Sequence, residues 1–311
     1  MKTCAELLTE FQEGSQPFNP EKILFGGVEE LDVYNVTAPF ENVGESVIAG
    51  RVEARDSEES RILFFSKQGE VWMPKENTPV LSLQDPFYTV ISGELVIGGV
   101  ETFPHPVLAN ALGWRTVFYK GKNLAGLTKF FEGPDGMKDL RLIQLHSGSI
   151  GVLTRPQGEK GGRGKIGFTT VASLKDLSVK VIDEAPLLTG QFAEDEWGGA
   201  NEAHLLSNGM LGILGHIASF DEAGDRHYYP MAFQLNPDTL DCSEIELIAE
   251  RRNFLPGETK RPDLEDVVFS GGLVRKGDGY AELYAGISDA EAQKIQLEDP
   301  FKKYEAEEQA S

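Results

Sequence analysis

Cysteine is scarce in this sequence, with only Cys4 and Cys242 among its 311 residues. Two thiols exclude a disulfide-stabilised scaffold and a zinc site built from four thiolates. Basic residues are also under-represented, because 29 Lys and Arg stand against 50 Asp and Glu, for a net charge of −21. Nucleic acids and anionic membranes bind positively charged surfaces, so this negative net charge argues against both as partners.

Long hydrophobic runs are missing as well. No stretch of about 18 apolar residues occurs, so no segment predicts a membrane-spanning helix. The N-terminal residues MKTCAELLTEFQEG contain several acidic residues and no long apolar run, which is unlike a secretory signal peptide. We therefore expect a cytoplasmic protein with reduced thiols.

Helical periodicity is confined to residues 2–13 and 288–296. The recurring pattern in the rest of the sequence is a turn followed by a strand. Five turns are each followed by a short apolar strand, and their glycines are Gly44, Gly93, Gly148, Gly209 and Gly279. Further apolar runs surround each turn, so each unit of about 50 to 70 residues contains three or four predicted antiparallel strands.

Five such units predict an all-β fold, a five-bladed β-propeller with short helices at the N-terminus. A large β-sandwich is the alternative, although the spacing fits four-stranded blades better than single hairpins. Residues 1–37 are expected to supply closing strands and a helix, and residues 299–311 a solvated tail, within one domain that spans residues 1–311. The predicted blades cover residues 38–80, 81–135, 136–185, 190–255 and 260–298.

Acidic residues recur just before the strand that leads into four of the turns. They are Asp85, Asp139, Glu202 and Asp266. The innermost strand of each propeller blade starts near one mouth of the central funnel, so these four carboxylates are expected to meet there. Crowded carboxylates push one another's pKa values apart, which yields one acid and one base. The alternative is that some of them only cap turns.

Two carboxylates across a funnel are the machinery of glycoside cleavage. Trp197 is one of the aromatic residues that could stack on a sugar ring, and His204 and His227 could supply hydrogen bonds. A metal site from these two histidines with Glu202 and His216 is conceivable, but no tight ligand motif supports it. We therefore predict no metal and no other cofactor.

A basic glycine-rich segment, RPQGEKGGRGK at residues 155–165, interrupts the acidic sequence. Its cations are Arg155, Lys160, Arg163 and Lys165. They could hold an anion such as phosphate with help from backbone amides, or they could be solvated charges of a mobile loop. Arg51 and Glu53 share one face of a predicted strand in the first blade, where substrate contact and a salt-bridged network are both open.

These residues resemble the five-bladed propeller enzymes of glycoside hydrolase family 130 and, more distantly, family 43. Family 130 carries a Glu-Asp-Pro-Arg motif whose Asp is the general acid. The matching segment here is Gln84-Asp85-Pro86-Phe87, so the resemblance gives Asp85 that role although the flanking Glu and Arg are replaced. Phosphorylases of that family bind phosphate through basic side chains at the funnel, and Arg155-Pro156 matches an Arg-Pro that ends one of its strands.

The chain more closely resembles a family catalogued as domain of unknown function 1861. The segments AGRVEARDSEES, GGRGKIGF, EWGGANEAHLL and KRPDLEDVVFSGG carry this likeness, which covers nearly the whole chain. The resemblance implies the propeller fold, and it implies sugar chemistry through kinship with family 130.

The first hypothesis is an inverting glycoside hydrolase or phosphorylase that acts on short oligosaccharides, with mannose suggested by kinship. Asp85 would be the general acid and Glu202 the base, while Asp139 or Asp266 would modulate pKa values or anchor the sugar. If inorganic phosphate replaces water, Arg155 and its basic neighbours hold it and no base is needed. The alternative is a propeller that binds a sugar or a sugar phosphate without catalysis, which the loss of the residues around Asp85-Pro86 favours.

Overall fold

A short helix opens the chain in the computed structural model, which describes residues 1–14, 16, 18–107, 109 and 111–306. Helix α1 (Cys4–Glu13) begins with a capping box, in which the Thr3 hydroxyl accepts from the Glu6 amide and the Glu6 carboxylate accepts from the Thr3 amide. Cys4 and Leu7 are the buried residues of this helix. The helix predicted over residues 2–13 is therefore confirmed.

Strands account for most of the remaining chain. The first of them, β1 (Asn19–Lys22), belongs to the last sheet. The first sheet contains β2 (Leu24–Phe25), β3 (Asp32–Tyr34), β4 (Phe40–Asn42), β5 (Glu45–Glu53), β6 (Arg61–Gln68) and β7 (Val71–Pro74). The second sheet contains β8 (Gln84–Ile91), β9 (Glu94–Pro104), β10 (Leu112–Gly121) and β11 (Thr128–Glu132).

The other three sheets follow in chain order. The third contains β12 (Arg141–Gln144) and β13 (Ile150–Thr154) and then, after helix α2 (Gly158–Gly161), β14 (Gly167–Val171). Helix α3 (Val179–Glu184) leads to the fourth, with β15 (Trp197–Leu205), β16 (Leu211–Phe220), β17 (Arg226–Leu235) and β18 (Glu246–Leu247). The fifth contains β19 (Val268–Arg275), β20 (Tyr280–Ile287) and β21 (Glu291–Glu298), and helix α4 (Lys302–Ala306) follows it.

The repeated glycine turns join the innermost strands to their neighbours. There is one such turn in each sheet. From the first sheet to the fifth, the turns join β4 to β5, β8 to β9, β12 to β13, β15 to β16 and β19 to β20. The turn glycines all have positive φ, which suits tight hairpins: Gly44, Gly93, Gly148, Gly209 and Gly279. The sequence repeat is thus a structural repeat of five antiparallel sheets, and the predicted five-bladed β-propeller is confirmed.

The ring closes through the N-terminal strand, because β1 pairs with β21 of the last sheet in an antiparallel register. The hydrophobic core is divided into five clusters, and each of them packs between two neighbouring sheets. Strands such as β16 are covered on both faces, so they are buried over nearly their whole length and lack the usual polar alternation. Among the described helices, none combines the length and apolarity needed to cross a bilayer.

Two local expectations differ from the structure. Residues 288–296 were expected to be helical, but β21 occupies most of that range. The segment after residue 298 was expected to be solvated, yet Phe301 and Tyr304 are buried against the fourth and fifth sheets. The aromatic residues in this charged segment provide the apolar anchor, so the expectation is wrong for Phe301 and Tyr304, whereas Lys302 and Lys303 are exposed. Residues 307–311 lie outside the described part of the chain.

Candidate active site

A cavity of about 230 Å³ lies at the centre of the ring. All five sheets and their connections contribute to its wall, through residues that include Asn35, Arg51, Asp85, Lys138, Asp139, Arg155, His216, Tyr228, Phe269 and Asp289. Asp85, Asp139, Arg51 and Arg155, which the sequence singled out, are therefore brought together. Asp289 joins them without having been assigned a role.

Four of these cavity residues share an uncommon backbone conformation. Asn35, Asp85, Asp139 and Asp289 have φ values of 45°, 49°, 60° and 51°. Asp and Asn adopt this left-handed region more readily than most other residues with a Cβ atom. Residues held in such conformations cluster at active sites, where the surrounding structure maintains them.

Asp85 is held by two donors. Its Oδ1 accepts a hydrogen bond from Asn35 Nδ2 at 2.8 Å and another from Arg51 Nη1 at 3.1 Å. The Arg51 guanidinium is buried, and its Nη2 lies 2.9 Å from Glu53 Oε2. Arg51, held by Glu53, therefore fixes the orientation of the Asp85 carboxylate.

Glu53 does not line the cavity but supports its wall. The Glu53 carboxylate is fully buried and accepts hydrogen bonds from Tyr34, Ser60 and Lys260 in addition to Arg51. Burial opposes ionisation of this carboxyl, but the two cations and the hydroxyl donors outweigh it and hold the pKa of Glu53 below its usual value. Of the two readings that the sequence left open for Arg51 and Glu53, the salt-bridged network describes Glu53, whereas Arg51 also reaches the cavity.

Asp139 is the most deeply buried carboxylate of the cavity. It lies 3.5 Å from Arg155 Nη1 and 3.4 Å from Arg141 Nη2. Burial raises the pKa of this carboxyl, but the two guanidinium groups outweigh it and lower the pKa to about 2. Asp139 is thus an ionised group that neutralises arginines rather than a proton carrier.

Arg155 carries an unused donor. Its Nε donates to the Gly198 carbonyl at 2.6 Å, while Nη1 has no hydrogen-bond partner in the described part of the chain. The side chain is almost completely buried and still borders the cavity. Gly164 covers it closely with φ +146°, and a Cβ atom there would lie 2.6 Å from Arg155 Nη2. The glycine-rich segment therefore serves to enclose this guanidinium.

His216 supplies a neutral ring to the cavity wall. Burial lowers the pKa of this histidine to about 3, so it is uncharged near neutral pH. Its Nδ1 donates to Asn201 Oδ1 at 2.9 Å, and the ring stacks on Tyr228 with centroids 5.5 Å apart. Asn201 Nδ2 and Asn35 Oδ1 are buried without a hydrogen-bond partner within the described residues. Of these two asparagines, Asn35 lines the cavity, so its Oδ1 is available to a polar ligand there.

Asp289 differs from the other cavity carboxylates in its proton affinity. Burial raises its pKa to about 6, Arg51 opposes this shift, and the negative charge of Asp85 reinforces it. Asp289 is therefore partly protonated near neutral pH beside an ionised neighbour. The sequence offered one signal for it, since Ser288-Asp289 directly follows the apolar run YAELYAGI. In the structure both residues have positive φ.

Glu202 is not among the residues that line the cavity, contrary to expectation. A β-bulge at Asn201 shifts the register of β15, so that Asn201 rather than Glu202 contacts His216. Glu202 Oε2 instead accepts from the Leu273 amide at 2.7 Å and contacts His204 Nε2 at 2.9 Å. Glu202 and His204 thus join the fourth and fifth sheets away from the cavity.

Asp266 and His227 also lie outside the central cavity, in a neighbouring pocket. Asp266 Oδ2 lies 2.6 Å from His227 Nδ1 and accepts from the Tyr229 hydroxyl at 2.5 Å. The strand start was assigned correctly, but residues 266 and 267 pair with β17 and point the carboxylate toward that sheet. Among the described residues no group of three or more His, Cys, Asp or Glu side chains could hold a metal ion.

The basic segment brings only Arg155 to the cavity. Lys160 donates to the carbonyls of Asp183 and Ala185, and Lys165 is not among the cavity residues. Arg163 packs against Phe220 and Trp197, with its guanidinium carbon 5.2 and 5.6 Å from the ring centroids. Trp197 is itself buried and donates to the Tyr228 hydroxyl at 3.0 Å, so it supports the wall instead of presenting a face to the cavity.

Solved structures with the same fold include two closely similar proteins from Leishmania mexicana. A mannose phosphorylase in complex with phosphate ion is 33% identical, with a TM-score of 0.89 over 96% of this chain and 94% of that chain. A GDP-Man-dependent mannosyltransferase is 32% identical, with a TM-score of 0.87 over 96% and 95%.

A β-1,2-mannobiose phosphorylase from Listeria innocua shares the fold at 15% identity, with a TM-score of 0.60 over 90% of this chain and 94% of that chain. No curated protein matches the sequence. A family model described as "Protein of unknown function (DUF1861)" matches residues 10–303. The chain belongs to this family.

Proposed function

We propose that this protein is an inverting phosphorylase that cleaves a mannoside with inorganic phosphate in the central cavity. The observation that carries the proposal is Arg155, which lines the cavity and whose buried Nη1 makes no hydrogen bond within the described residues, its one ionic contact being Asp139 at 3.5 Å. A buried cationic donor of this kind is suited to an oxyanion. The similar Leishmania mexicana structure, a mannose phosphorylase with phosphate ion, supports both the sugar and the anion.

The charge of the cavity wall also supports an anionic reactant. Five cations line the cavity: Arg51, Lys138, Arg155, Arg226 and Arg261. Four carboxyls face them: Glu58, Asp85, Asp139 and Asp289. The wall therefore carries a net positive charge even with all four carboxyls ionised, although the whole chain carries −21. Such a wall attracts a phosphate dianion.

The proton for the leaving group comes from the pair formed by Asp85 and Asp289. Burial and the negative charge of Asp85 raise the pKa of Asp289 to about 6, so this carboxyl holds a proton in part of the molecules near neutral pH. Asp85 is the member that matches the general acid of glycoside hydrolase family 130. Asp289 keeps the proton available by disfavouring a second negative charge.

The reaction follows from this arrangement as one displacement. An oxygen of phosphate forms a bond to the anomeric carbon while the bond from that carbon to the bridging oxygen breaks. The carboxyl pair gives its proton to the bridging oxygen, which leaves as an alcohol, and hydrogen phosphate returns a proton to the pair. The product is mannose 1-phosphate with inverted anomeric configuration.

Hydrolysis is the less favoured alternative because the carboxylate expected to activate water does not line the cavity. Glu202, the expected base, is bound to the Leu273 amide, and Asp139 is too weak a base with a pKa of about 2. Phosphate is already a nucleophile at neutral pH and needs no such base.

The experiment is a panel of α- and β-linked mannobioses incubated with and without inorganic phosphate, with products identified by NMR. We expect mannose 1-phosphate of inverted configuration only when phosphate is present. Free mannose at equal rates with and without phosphate would replace the proposal with hydrolysis. Transfer from GDP-mannose alone would replace it with a transferase, and calorimetric binding of a mannobiose without turnover would leave a sugar-binding propeller.

A further inference from the structure

A second and larger pocket lies beside the central cavity, between the fourth and fifth sheets. Its volume is about 710 Å³. The 3₁₀ helix Pro262–Leu264 separates the two spaces, because Leu264 lines the central cavity whereas Pro262 and Asp263 line the pocket. Arg226 borders both and forms an ion pair with Asp263 at the boundary. We call this space the interblade pocket.

The interblade pocket combines apolar surface with many hydrogen-bonding groups. Phe254, Pro256 and Pro262 provide the apolar part of its wall. The polar part includes His227, which contacts Asp266, and Arg251, whose Nε has no hydrogen-bond partner in the described part of the chain. Apolar surface with convergent polar groups is the usual composition of a small-molecule site.

The charge of this pocket excludes an anionic ligand. Six carboxylates line it: Asp221, Asp225, Glu250, Asp263, Glu265 and Asp266. Only three arginines accompany them: Arg226, Arg251 and Arg252. The wall is therefore negative, in contrast to the wall of the central cavity, and a phosphate group would be repelled. A neutral ligand rich in hydroxyl groups fits, because carboxylates accept hydrogen bonds from hydroxyls without a charge penalty.

The two volumes indicate how a substrate would be divided between the spaces. The central cavity, at about 230 Å³, is smaller than the usual range for ligand sites of about 300–1,000 Å³, and the interblade pocket lies inside that range. A chain of several sugars cannot be accommodated by the central cavity alone. Arg226 lines both spaces, so a longer chain would pass from one to the other at this residue.

We propose that the interblade pocket binds the further neutral sugar units of an oligosaccharide whose terminal unit is cleaved in the central cavity. This inference rests on the proposed function, since it assigns the longer substrate to the same reaction. The inference predicts that the protein distinguishes oligosaccharides by chain length. The sugar that reacts is bound in the positively charged central cavity, and the other sugars are bound in the negatively charged interblade pocket.

The test compares kcat/KM for a mannobiose and for a mannotetraose of the same linkage. Glu265→Trp introduces a bulky side chain at an exposed pocket position that does not line the central cavity. Glu70→Trp, at a turn of the first sheet, is the matched control. We expect Glu265→Trp to lower kcat/KM for the tetraose about tenfold and to leave the biose unchanged, whereas Glu70→Trp changes neither.

Two results would overturn the inference: an equal loss for both substrates, or no loss for either. Asp225→Trp, also exposed in the pocket wall, serves as the second variant if Glu265→Trp does not fold. If the wild type has no phosphorolytic activity, calorimetric binding of the tetraose provides an independent readout. Binding that Glu265→Trp weakens would then support the pocket while the proposed function fails, and binding that it leaves unchanged would overturn the pocket as well.

Discussion

Nη1 of Arg51 lies 3.1 Å from Oδ1 of Asp85, at the wall of the central cavity. The same guanidinium contacts Glu53, which is fully buried and also pairs with Lys260. The carboxylate beneath the wall therefore determines where Arg51 points, and Arg51 determines where Asp85 points. A group outside the cavity thus controls the geometry of the candidate acid.

The first prediction concerns this support. Glu53→Gln removes the buried carboxylate that Arg51 and Lys260 share and leaves them only the exposed Glu58 in common. Breaking a buried ion pair costs about 3–5 kcal/mol. We expect the free energy of unfolding to fall by that order in urea denaturation. Glu94→Gln, which removes a half-exposed partner of Lys120, is the control and should change stability by less than about 1 kcal/mol. Equal losses for the two variants would contradict the assignment.

Asp139 should make the fold sensitive to acid. Its pKa in the folded protein is about 2, below the ordinary value of 3.8, so its stabilising effect is complete above pH 4 and is lost as the pH falls toward 2. The shift corresponds to about 2 kcal/mol. Asp139→Asn should therefore be less stable than the wild type at pH 7, and this difference should narrow below pH 4. A difference that stays constant between pH 7 and pH 2.5 would contradict the pairing with Arg155 and Arg141.

Arg155 should govern affinity for phosphate. Arg155→Lys keeps the positive charge near Asp139 but loses the fixed fork of donors, so we expect KM for phosphate to rise at least tenfold. KM for the mannoside should change much less. Lys165→Ala, a cation of the same segment that is not among the cavity residues, should leave both constants unchanged. A matching rise in both constants for Arg155→Lys would indicate a general distortion of the cavity.

Asp289 should set the upper pH limit of the reaction. Because burial raises its pKa to about 6, the proton held with Asp85 is lost above that pH, and kcat/KM for phosphorolysis should decline there. Asp289→Asn removes the carboxyl whose pKa is raised to about 6. We expect the decline above that pH to be absent from the pH–rate profile of this variant. A pH–rate profile identical to that of the wild type would show that the two carboxyls do not share a proton.

The sequence predicted the fold well because each blade repeats a local signal. A turn glycine and two flanking apolar runs specify a hairpin without reference to the rest of the chain. Closing strands were expected within residues 1–37, but the polar segment Asn19–Lys22 that pairs with β21 carries no apolar pattern to identify it. Phe301 and Tyr304 were harder to place, since a charged segment reveals nothing about which of its aromatic residues finds a partner in another sheet.

The site could be predicted only in part, because register determines which side chain faces the cavity. Asp85 and Asp139 stand at the expected strand starts, but the bulge at Asn201 moves Glu202 to another contact. A one-residue shift reverses the direction of a side chain in a strand, and sequence alone does not show a bulge. Asp289 follows its strand instead of preceding it, so a search limited to strand starts missed it.

The measurement that tests the account most directly compares wild type with Asp85→Asn in phosphorolysis of the mannobiose selected from the panel. General acid catalysis contributes about 10²- to 10⁴-fold, so we expect mannose 1-phosphate formation to fall by at least 10²-fold. Calorimetric affinity for the mannobiose should remain within a few-fold of the wild-type value. Phosphate-dependent turnover that persists undiminished in Asp85→Asn would contradict the assignment of the acid to this cavity.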